Sequence, residues 1–140
     1  MKDRVELQTE VDAARVVIYP LLATAEGLAQ WLDEAELEPR VGGRVRLRLR
    51  DAVAVGEVLS VGAPQHISFS WDWEAEPLGR LTVVAFDAID HGERTHVTIR
   101  HVGLPTPLQV ELHDAMWRFW LERFEAAARA LPGKVESIQR

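Results

Sequence analysis

Alternating apolar and polar side chains between Val41 and His101 constrain the fold of this chain more than any other feature. A period close to two is typical of strands with one buried face, and turn-forming residues interrupt it at regular intervals. The interruptions divide the region into five predicted strands, at 44–50, 53–61, 66–74, 80–89 and 94–102. Because the connections between these strands are short, we expect an antiparallel meander.

The last predicted strand lies in the segment THVTIRHVGLP at 95–105, where Val97, Ile99 and His101 share one face. A predicted helix at 108–131 follows directly, and its apolar stripe contains several aromatic residues. A strand followed at once by such a helix indicates a sheet wrapped around the helix. The arrangement predicts a ligand-sized space between the two.

The segment before the meander adds one strand and one helix. Residues 4–12 alternate like a strand, and residues 13–32 change to helical spacing. Pro20 predicts a kink or break in that helix, because an interior proline removes a hydrogen bond and clashes with the preceding turn. The acidic run at 33–38 predicts a solvated loop or a short helix.

The length of 140 residues indicates one domain, 1–140, with a polar tail at 132–140 after Pro132 and Gly133 end the last helix. The chain contains no cysteine, which is consistent with a reducing compartment. The N-terminal sequence MKDRVELQTEV lacks the apolar core of a signal peptide, and no apolar run reaches the ~18 residues of a membrane span. We therefore expect a cytoplasmic protein.

A net charge of -6 argues against nucleic acid or an anionic membrane as a partner, since both are bound through clustered positive charge. Arg44, Arg46, Arg48 and Arg50 nevertheless share one face of a predicted strand. The simplest interpretation is a solvated face opposite cross-strand acids such as Glu57. Phosphate or RNA binding is the alternative interpretation.

Several motifs, in this order, resemble one known family: EPRVGGRVRLRLR at 38–50, GEVLSVGAPQHISFSW at 56–71, THVTIRHVGLP at 95–105 and MWRFWLERF at 116–124. In addition, AEGLAQWL at 25–32 is similar to a helix of that family that ends in a tryptophan. The family is the bacterial branch of the START-like (SRPBCC) superfamily related to the activator of heat-shock-protein ATPase. The resemblance implies an α+β helix-grip fold, also called birch-pollen-allergen-like, in which a curved antiparallel sheet of about six strands surrounds a long C-terminal helix.

The aromatic side chains are the strongest functional signal, because indole rings can form the apolar wall of a pocket and their N–H groups can orient a polar end. The residues that we predict to line a ligand cavity are Trp31, Leu47, Phe69, Trp71, Trp73, Val83, Ile99, His101, Trp117, Trp120, Leu121 and Phe124. The strand at 80–89 leaves its register open, since Val83 competes with Val84 and Phe86 for the inner face. Ordinary core packing is the alternative role for the whole set.

His101 is the main polar candidate, either as a ligand contact, as a general acid or base, or as a core histidine whose hydrogen bonds are satisfied. The histidines do not converge in sequence in a way that predicts a metal site, and no GxSxG or nucleotide-binding motif is present. We therefore expect no metal and no cofactor, and we assign no catalytic residue beyond His101.

Three functions follow from these features. The first is non-enzymatic binding of a small hydrophobic or aromatic molecule between sheet and helix. The second is a cyclase or hydrolase that uses His101 as acid or base. The third, implied by the family resemblance, is a chaperone-associated or other protein-interaction module, acting through Phe119, Met116 or the arginine face. Phe119 also suggests a homodimer, since it lies off the apolar stripe.

Overall fold

Seven strands and three helices follow one another in residues 3–131, the part of the chain that the computed structural model describes. Their order is β1 (Val5–Val11), α1 (Arg15–Ala23), α2 (Ala25–Leu28), β2 (Glu34–Leu37), β3 (Arg44–Leu49), β4 (Ala52–Gly62), β5 (His66–Trp73), β6 (Thr82–His91), β7 (Arg94–Val102) and α3 (Pro107–Arg129). All strands form one sheet in the order β1-β7-β6-β5-β4-β3-β2, and every neighbouring pair is antiparallel. The predicted α+β helix-grip fold is confirmed. The predicted polar tail at 132–140 lies outside the described residues.

The acidic run is a strand, so the prediction of a loop or short helix there was wrong, and the sheet has seven strands rather than six. Glu34 and Glu36 of β2 lie opposite Arg48 and Arg46 of β3. The Arg48 guanidinium is 3.1 Å from the Glu34 carboxylate. Opposite charges in directly paired positions favour strand pairing. The arginine face predicted to meet acids therefore does so on β2 as well as on β4, where Arg44 lies opposite Glu57.

The first helix breaks at Thr24 and not at Pro20, which lies inside α1. The Thr24 hydroxyl donates to the Pro20 carbonyl over 2.8 Å and accepts from the Gly27 N–H over 2.9 Å. This hydroxyl caps α2 while it satisfies the end of α1. The two helices then approach so closely that a Cβ on Gly27 would lie 1.8 Å from the Pro20 carbonyl oxygen. Only glycine fits at that position.

The inner face of the sheet carries the core. On β6 the residues that face inward are Thr82, Val84, Phe86 and Ala88, all buried. Val83 lies on the opposite face of the strand and is only half-buried, so its predicted inward position was wrong. Along the strand the β-branched Val83 and Val84 are equally good at either face, and the register is decided by Phe86, whose large ring is buried.

α3 lies against the sheet through one stripe of buried residues: Val110, His113, Trp117, Trp120, Phe124 and Ala128. The helix begins after Thr106, whose hydroxyl accepts from the Gln109 N–H over 3.1 Å, and Pro107 occupies the first turn. Both features are typical of a helix start. Within residues 3–131 no helix is long and apolar enough to cross a membrane.

Candidate functional site

Aromatic rings fill the space between the sheet and α3. The Phe86 ring centroid lies 6.0 Å from that of Trp31, 5.6 Å from that of Phe69 and 5.9 Å from that of Trp117. The Trp31 and Phe124 rings meet edge to face at 5.3 Å. All five side chains are at most 1% exposed. The space that the sequence predicts between sheet and helix is therefore occupied by the protein's own side chains.

His101 lies within this interior, and both of its ring nitrogens are hydrogen-bonded. The Trp117 indole N–H donates to His101 Nδ1 over 3.1 Å, and His101 Nε2 lies 3.0 Å from the Thr82 hydroxyl. Since that hydroxyl donates its own proton to the Trp71 carbonyl over 2.6 Å, it accepts from His101 Nε2–H. The imidazole is therefore held as the neutral Nε2–H tautomer.

Burial also disfavours the charged form of His101. Desolvation, with a smaller contribution from nearby His113, lowers the pKa of His101 to about 3. The ring is neutral at pH 7, and its lone pair is already used by Trp117. The geometry is that of a core histidine whose hydrogen bonds are satisfied.

His113 links α3 to the end of β5. The Trp73 indole N–H donates to His113 Nε2 over 3.0 Å, while His113 Nδ1–H donates to the Gln109 carbonyl over 2.8 Å. Burial lowers the pKa of His113, so this ring is neutral as well. Trp73 and His113 together present an ordered aromatic wall.

This wall borders an open cleft of about 880 Å³. The cleft lies where the turn between β3 and β4, the connection between β5 and β6, and the first half of α3 meet. Its apolar lining includes Trp73, Leu78, Leu112 and Met116, and its acidic lining comprises Asp51, Glu74 and Glu76. The cleft opens directly in front of the packed interior, since the Trp73 ring contacts the Trp71 ring at a centroid distance of 5.2 Å.

A second cleft, of about 820 Å³, lies between α2 and the end of α3. Its lining includes Leu21, Gly27, Arg123 and Leu131, and none of its described lining residues is aromatic. The cleft beside Trp73 is therefore the better candidate for an aromatic ligand.

One buried polar atom of the interior lacks a partner. Among residues 3–131, Trp71 Nε1 has no hydrogen-bond acceptor although its side chain is 1% exposed. An unpaired buried donor costs roughly 1–3 kcal/mol. The Trp71 ring lies directly behind Trp73, on the side away from the cleft.

The structure brings most of the predicted site residues together, but behind the cleft rather than around an open cavity. Trp73 lines the cleft. The packed interior, with Leu121 at its edge, contains Trp31, Leu47, Phe69, Trp71, Ile99, His101, Trp117, Trp120, Leu121 and Phe124. Val83 is outside both groups. A ligand contact by the interior residues stays a prediction.

Sequence reasoning did not assign Leu78, Leu112 and His113 to the lining, and it placed Met116 at a partner interface. Leu112 and Met116 are four residues apart on α3, a spacing that places two side chains on one helical face. That pair, next to the turn segment 74–79, was the available signal. In the described part of the chain, no group of three or more acidic or histidine side chains is arranged to hold a metal ion.

Comparison with solved structures supports the fold. A protein from Mesorhizobium loti, MLL2253, is 21% identical with a TM-score of 0.77, covering 89% of this chain and 95% of that one. PFC0360w, an HSP90 activator from Plasmodium falciparum, is 18% identical with a TM-score of 0.74 and the same two coverages, 89% and 95%. The Aha1 dimer from Colwellia psychrerythraea is 17% identical with a TM-score of 0.76, covering 91% and 96%.

A search among curated proteins found no match. The family model described as "Activator of Hsp90 ATPase homolog 1-like protein" matches residues 12–129, which is most of the chain. That range includes every motif on which the sequence resemblance depends. The chain therefore belongs to the Activator of Hsp90 ATPase homolog 1-like family, within the START-like fold.

Proposed function

We propose that the protein binds a small, largely apolar or aromatic molecule in the cleft beside Trp73. The observation that carries the proposal is an open volume of about 880 Å³ bordered by an indole ring and by apolar side chains that include Leu78, Leu112 and Met116. Pockets of roughly 300–1,000 Å³ with a mainly apolar lining are typical of small-molecule sites. The hydrogen bond from Trp73 to His113 orients the wall before a ligand arrives.

The charges around the cleft favour neutral or cationic ligands. Asp51, Glu74 and Glu76 line it, and its described lining contains no lysine or arginine. Glu74 is paired with Arg46, which leaves a net negative rim. An anionic ligand such as a fatty acid would meet repulsion at the entrance, because like charges close to a low-dielectric wall disfavour binding.

The interior rings form a second layer in this proposal. Trp71 lies between Trp73 and the pair formed by His101 and Trp117, with ring centroids 5.2, 5.4 and 5.3 Å away. A ligand too large for the cleft would reach these rings only after the Trp73 side chain moves. We therefore propose Trp73 as the first ligand contact and Trp71, His101 and Trp117 as the second.

A matched pair of leucines on α3 provides the test. Leu112 lines the cleft and is 53% exposed, whereas Leu108, one turn earlier, is 60% exposed and does not line it. Binding of a panel of neutral and cationic aromatic compounds is measured by tryptophan fluorescence and native mass spectrometry. Leu112→Gln is expected to weaken binding about tenfold, equivalent to about 1.4 kcal/mol, and Leu108→Gln to leave it unchanged. The proposal fails if no compound binds, or if the two variants bind equally.

Regulation of a chaperone is the second candidate function, and membership of the Hsp90-activator-like family is what favours it. Its candidate contacts already have partners within the chain. Arg50 lies over the Phe119 ring at 4.4 Å, and Arg46 and Arg48 pair with acids. Measurement of the ATPase rate of an Hsp90-type chaperone with and without the protein tests this role. An unchanged rate together with no detectable complex argues against it.

A homodimer is a further proposal, since one solved relative is a dimer. Exposed Leu108 and Leu112 on α3 are apolar side chains that a second copy would cover. Sedimentation equilibrium on the full chain measures the molecular mass, and a monomer at all concentrations excludes the dimer.

A further inference from the structure

A hydrogen-bonded Ser-His-Asp chain lies on the outer face of the sheet, away from the cleft. Ser60 Oγ is 2.8 Å from His66 Nε2, and His66 Nδ1 is 2.8 Å from Asp87 Oδ1. The three residues come from β4, β5 and β6, which are adjacent in the sheet. His66 and Asp87 are directly paired across β5 and β6.

An irregularity in β4 brings Ser60 to this face. The pairing of β4 with β5 shifts between Val58 and Ser60, so that Val58 pairs with Phe69 and Ser60 pairs with Ser68. Because Leu59 is the residue added by this bulge, Ser60 points outward, like Ser68 and His66. Bulges are over-represented next to active sites, where they re-aim a side chain or end the strand pairing.

With a neutral His66 imidazole, the protons of this hydrogen-bonded series have one consistent arrangement. The Asp87 carboxylate accepts from His66 Nδ1–H, which leaves the Nε2 lone pair to accept from the Ser60 hydroxyl. The Ser68 hydroxyl, 2.5 Å away, then donates to Ser60 Oγ. Arg100 Nη1 lies 3.6 Å from the other Asp87 oxygen, and the Tyr19 hydroxyl donates to the His66 carbonyl over 2.9 Å. Both contacts hold the base in place.

The hydrogen-bonded series of Ser60, His66 and Asp87 is open to solvent. The His66 side chain is 33% exposed and that of Asp87 is 21% exposed, and Ser60 is half-buried. The three side chains therefore lie at the protein surface, and small reactants approach them from solvent without any rearrangement of the core. The order nucleophile, base and base-orienting carboxylate is the arrangement that activates a serine in hydrolases on unrelated folds.

We propose that Ser60 is a base-activated nucleophile, and that this outer face hydrolyses small activated esters. Ser60 Oγ bonds to the ester carbonyl carbon while its proton passes to His66 Nε2. The C–O bond to the alcohol then breaks, and the alcohol leaves with the proton from His66. Water attacks the acyl-serine in the same way, giving the carboxylic acid and restoring the Ser60 hydroxyl. Asp87 is a positioning residue for His66.

The composition makes the reaction easy to assign. The chain has no cysteine, two lysines, at positions 2 and 134, and four serines, at positions 60, 68, 70 and 137. Ser70 is an internal control: it lies on the same face of β5, and its Oγ accepts from the Glu57 N–H. Acylation selective for Ser60 over Ser70 would therefore report activation by His66 and not simple exposure.

The test uses p-nitrophenyl acetate with the full chain. We expect release of p-nitrophenolate above the buffer rate and, after rapid quenching, an acetyl group mapped by peptide mass spectrometry to Ser60. Ser60→Ala should remove both signals. His66→Ala should slow release at least about 100-fold, and added imidazole should restore acetylation of Ser60, which a purely structural role of His66 would not allow.

The proposal is overturned if folded wild-type protein carries no acetyl group on Ser60 and releases p-nitrophenolate at the buffer rate. It is also overturned if Ser60→Ala and His66→Ala, both shown to be folded by circular dichroism, react as fast as the wild type. Because Ser60 and the cleft lie on opposite faces of the sheet, these results are independent of ligand binding beside Trp73.

Discussion

The Trp73 indole N–H donates to His113 Nε2 over 3.0 Å and so ties the end of β5 to α3 at the wall of the cleft. A second pair deeper in the molecule repeats the arrangement, with Trp117 donating to His101 Nδ1 over 3.1 Å. The two histidine rings lie 5.0 Å apart, edge to face. The two indole-imidazole pairs therefore form one continuous layer from the cleft to the core.

Replacing Trp73 or Trp117 by phenylalanine should destabilise the protein more at the pair that is buried more deeply. Trp73 is half-buried, so water can replace the lost donor in Trp73→Phe, and we expect a loss of about 1 kcal/mol in the free energy of unfolding. Trp117 is fully buried, and Trp117→Phe leaves His101 Nδ1 unsatisfied beside a small cavity, with an expected loss of about 3 kcal/mol. Urea unfolding measures both free energies of unfolding. A larger loss in Trp73→Phe than in Trp117→Phe would contradict the roles given to the two pairs.

The stability of the protein should fall in mild acid because of His101. Its pKa is about 3 in the folded chain against an ordinary value of 6.5, so between these values the unfolded chain binds a proton that the folded chain does not. The stabilisation is complete above about pH 6.5 and is lost as the pH falls towards 3. For this one group we expect a loss of about 3 kcal/mol between pH 7 and pH 4.

His101→Gln separates this effect from general acid denaturation. Its unfolding free energy should vary less steeply with pH than that of the wild type, because the buried imidazole is gone. His96→Gln is the control, since the His96 side chain is 34% exposed on the outer face. If His101→Gln shows the wild-type slope in urea titrations at several pH values, protonation of His101 is not the cause.

Ligand charge should affect binding in the cleft, provided that the cleft binds aromatic molecules as proposed. Naphthylmethylamine should bind at least about threefold more tightly than naphthoate at low salt, because the rim is acidic. Glu76→Gln should reduce the difference in affinity between the amine and the carboxylate. Glu93→Gln, in the exposed turn between β6 and β7, should leave that difference unchanged. Calorimetric titration at two salt concentrations measures the difference, and an amine that binds no better than the acid contradicts the role given to the rim.

Gly27 should tolerate no side chain. In Gly27→Ala the new Cβ would lie 1.8 Å from the Pro20 carbonyl oxygen, so α1 and α2 must separate, at an expected cost of about 2–3 kcal/mol. Gly62→Ala is the matched control, because its Cβ would meet only the His66 Cβ, at 3.8 Å. That control should change the free energy of unfolding by less than about 0.5 kcal/mol. Equal thermal stability of the two variants would refute the close approach.

Most of the fold was predictable because alternation and helical spacing report directly which side of an element is buried. The strand β2 was missed for a physical reason. Its glutamates resemble a solvated loop, and the partner that makes them a strand face, the arginines of β3, is visible only once the two segments are paired. The inward side of β6 was ambiguous because adjacent valines fit either face.

The site was less predictable than the fold. A pattern shows that Trp71 and Trp117 face inward, but whether a space remains between them depends on how facing rings interlock. The hydrogen-bonded series of Ser60, His66 and Asp87 on the outer face depends on one bulge that shifts Ser60 into register with Ser68. His66 and Ser68 share a face by simple alternation, and that was the only signal the sequence offered.

The short strand β2 has a consequence for the solubility of the folded protein. It is the last strand on its side of the sheet, so its outer backbone groups would be free to pair with a strand of another molecule. It has only four residues, and Glu34 and Glu36 are exposed along it. A short edge offers few backbone hydrogen bonds, and its charged side chains would lose water if a second strand paired with it, so it discourages edge-to-edge aggregation. Glu34 and Glu36, which make this segment resemble a loop in the sequence, therefore also disfavour pairing at the free edge of the sheet.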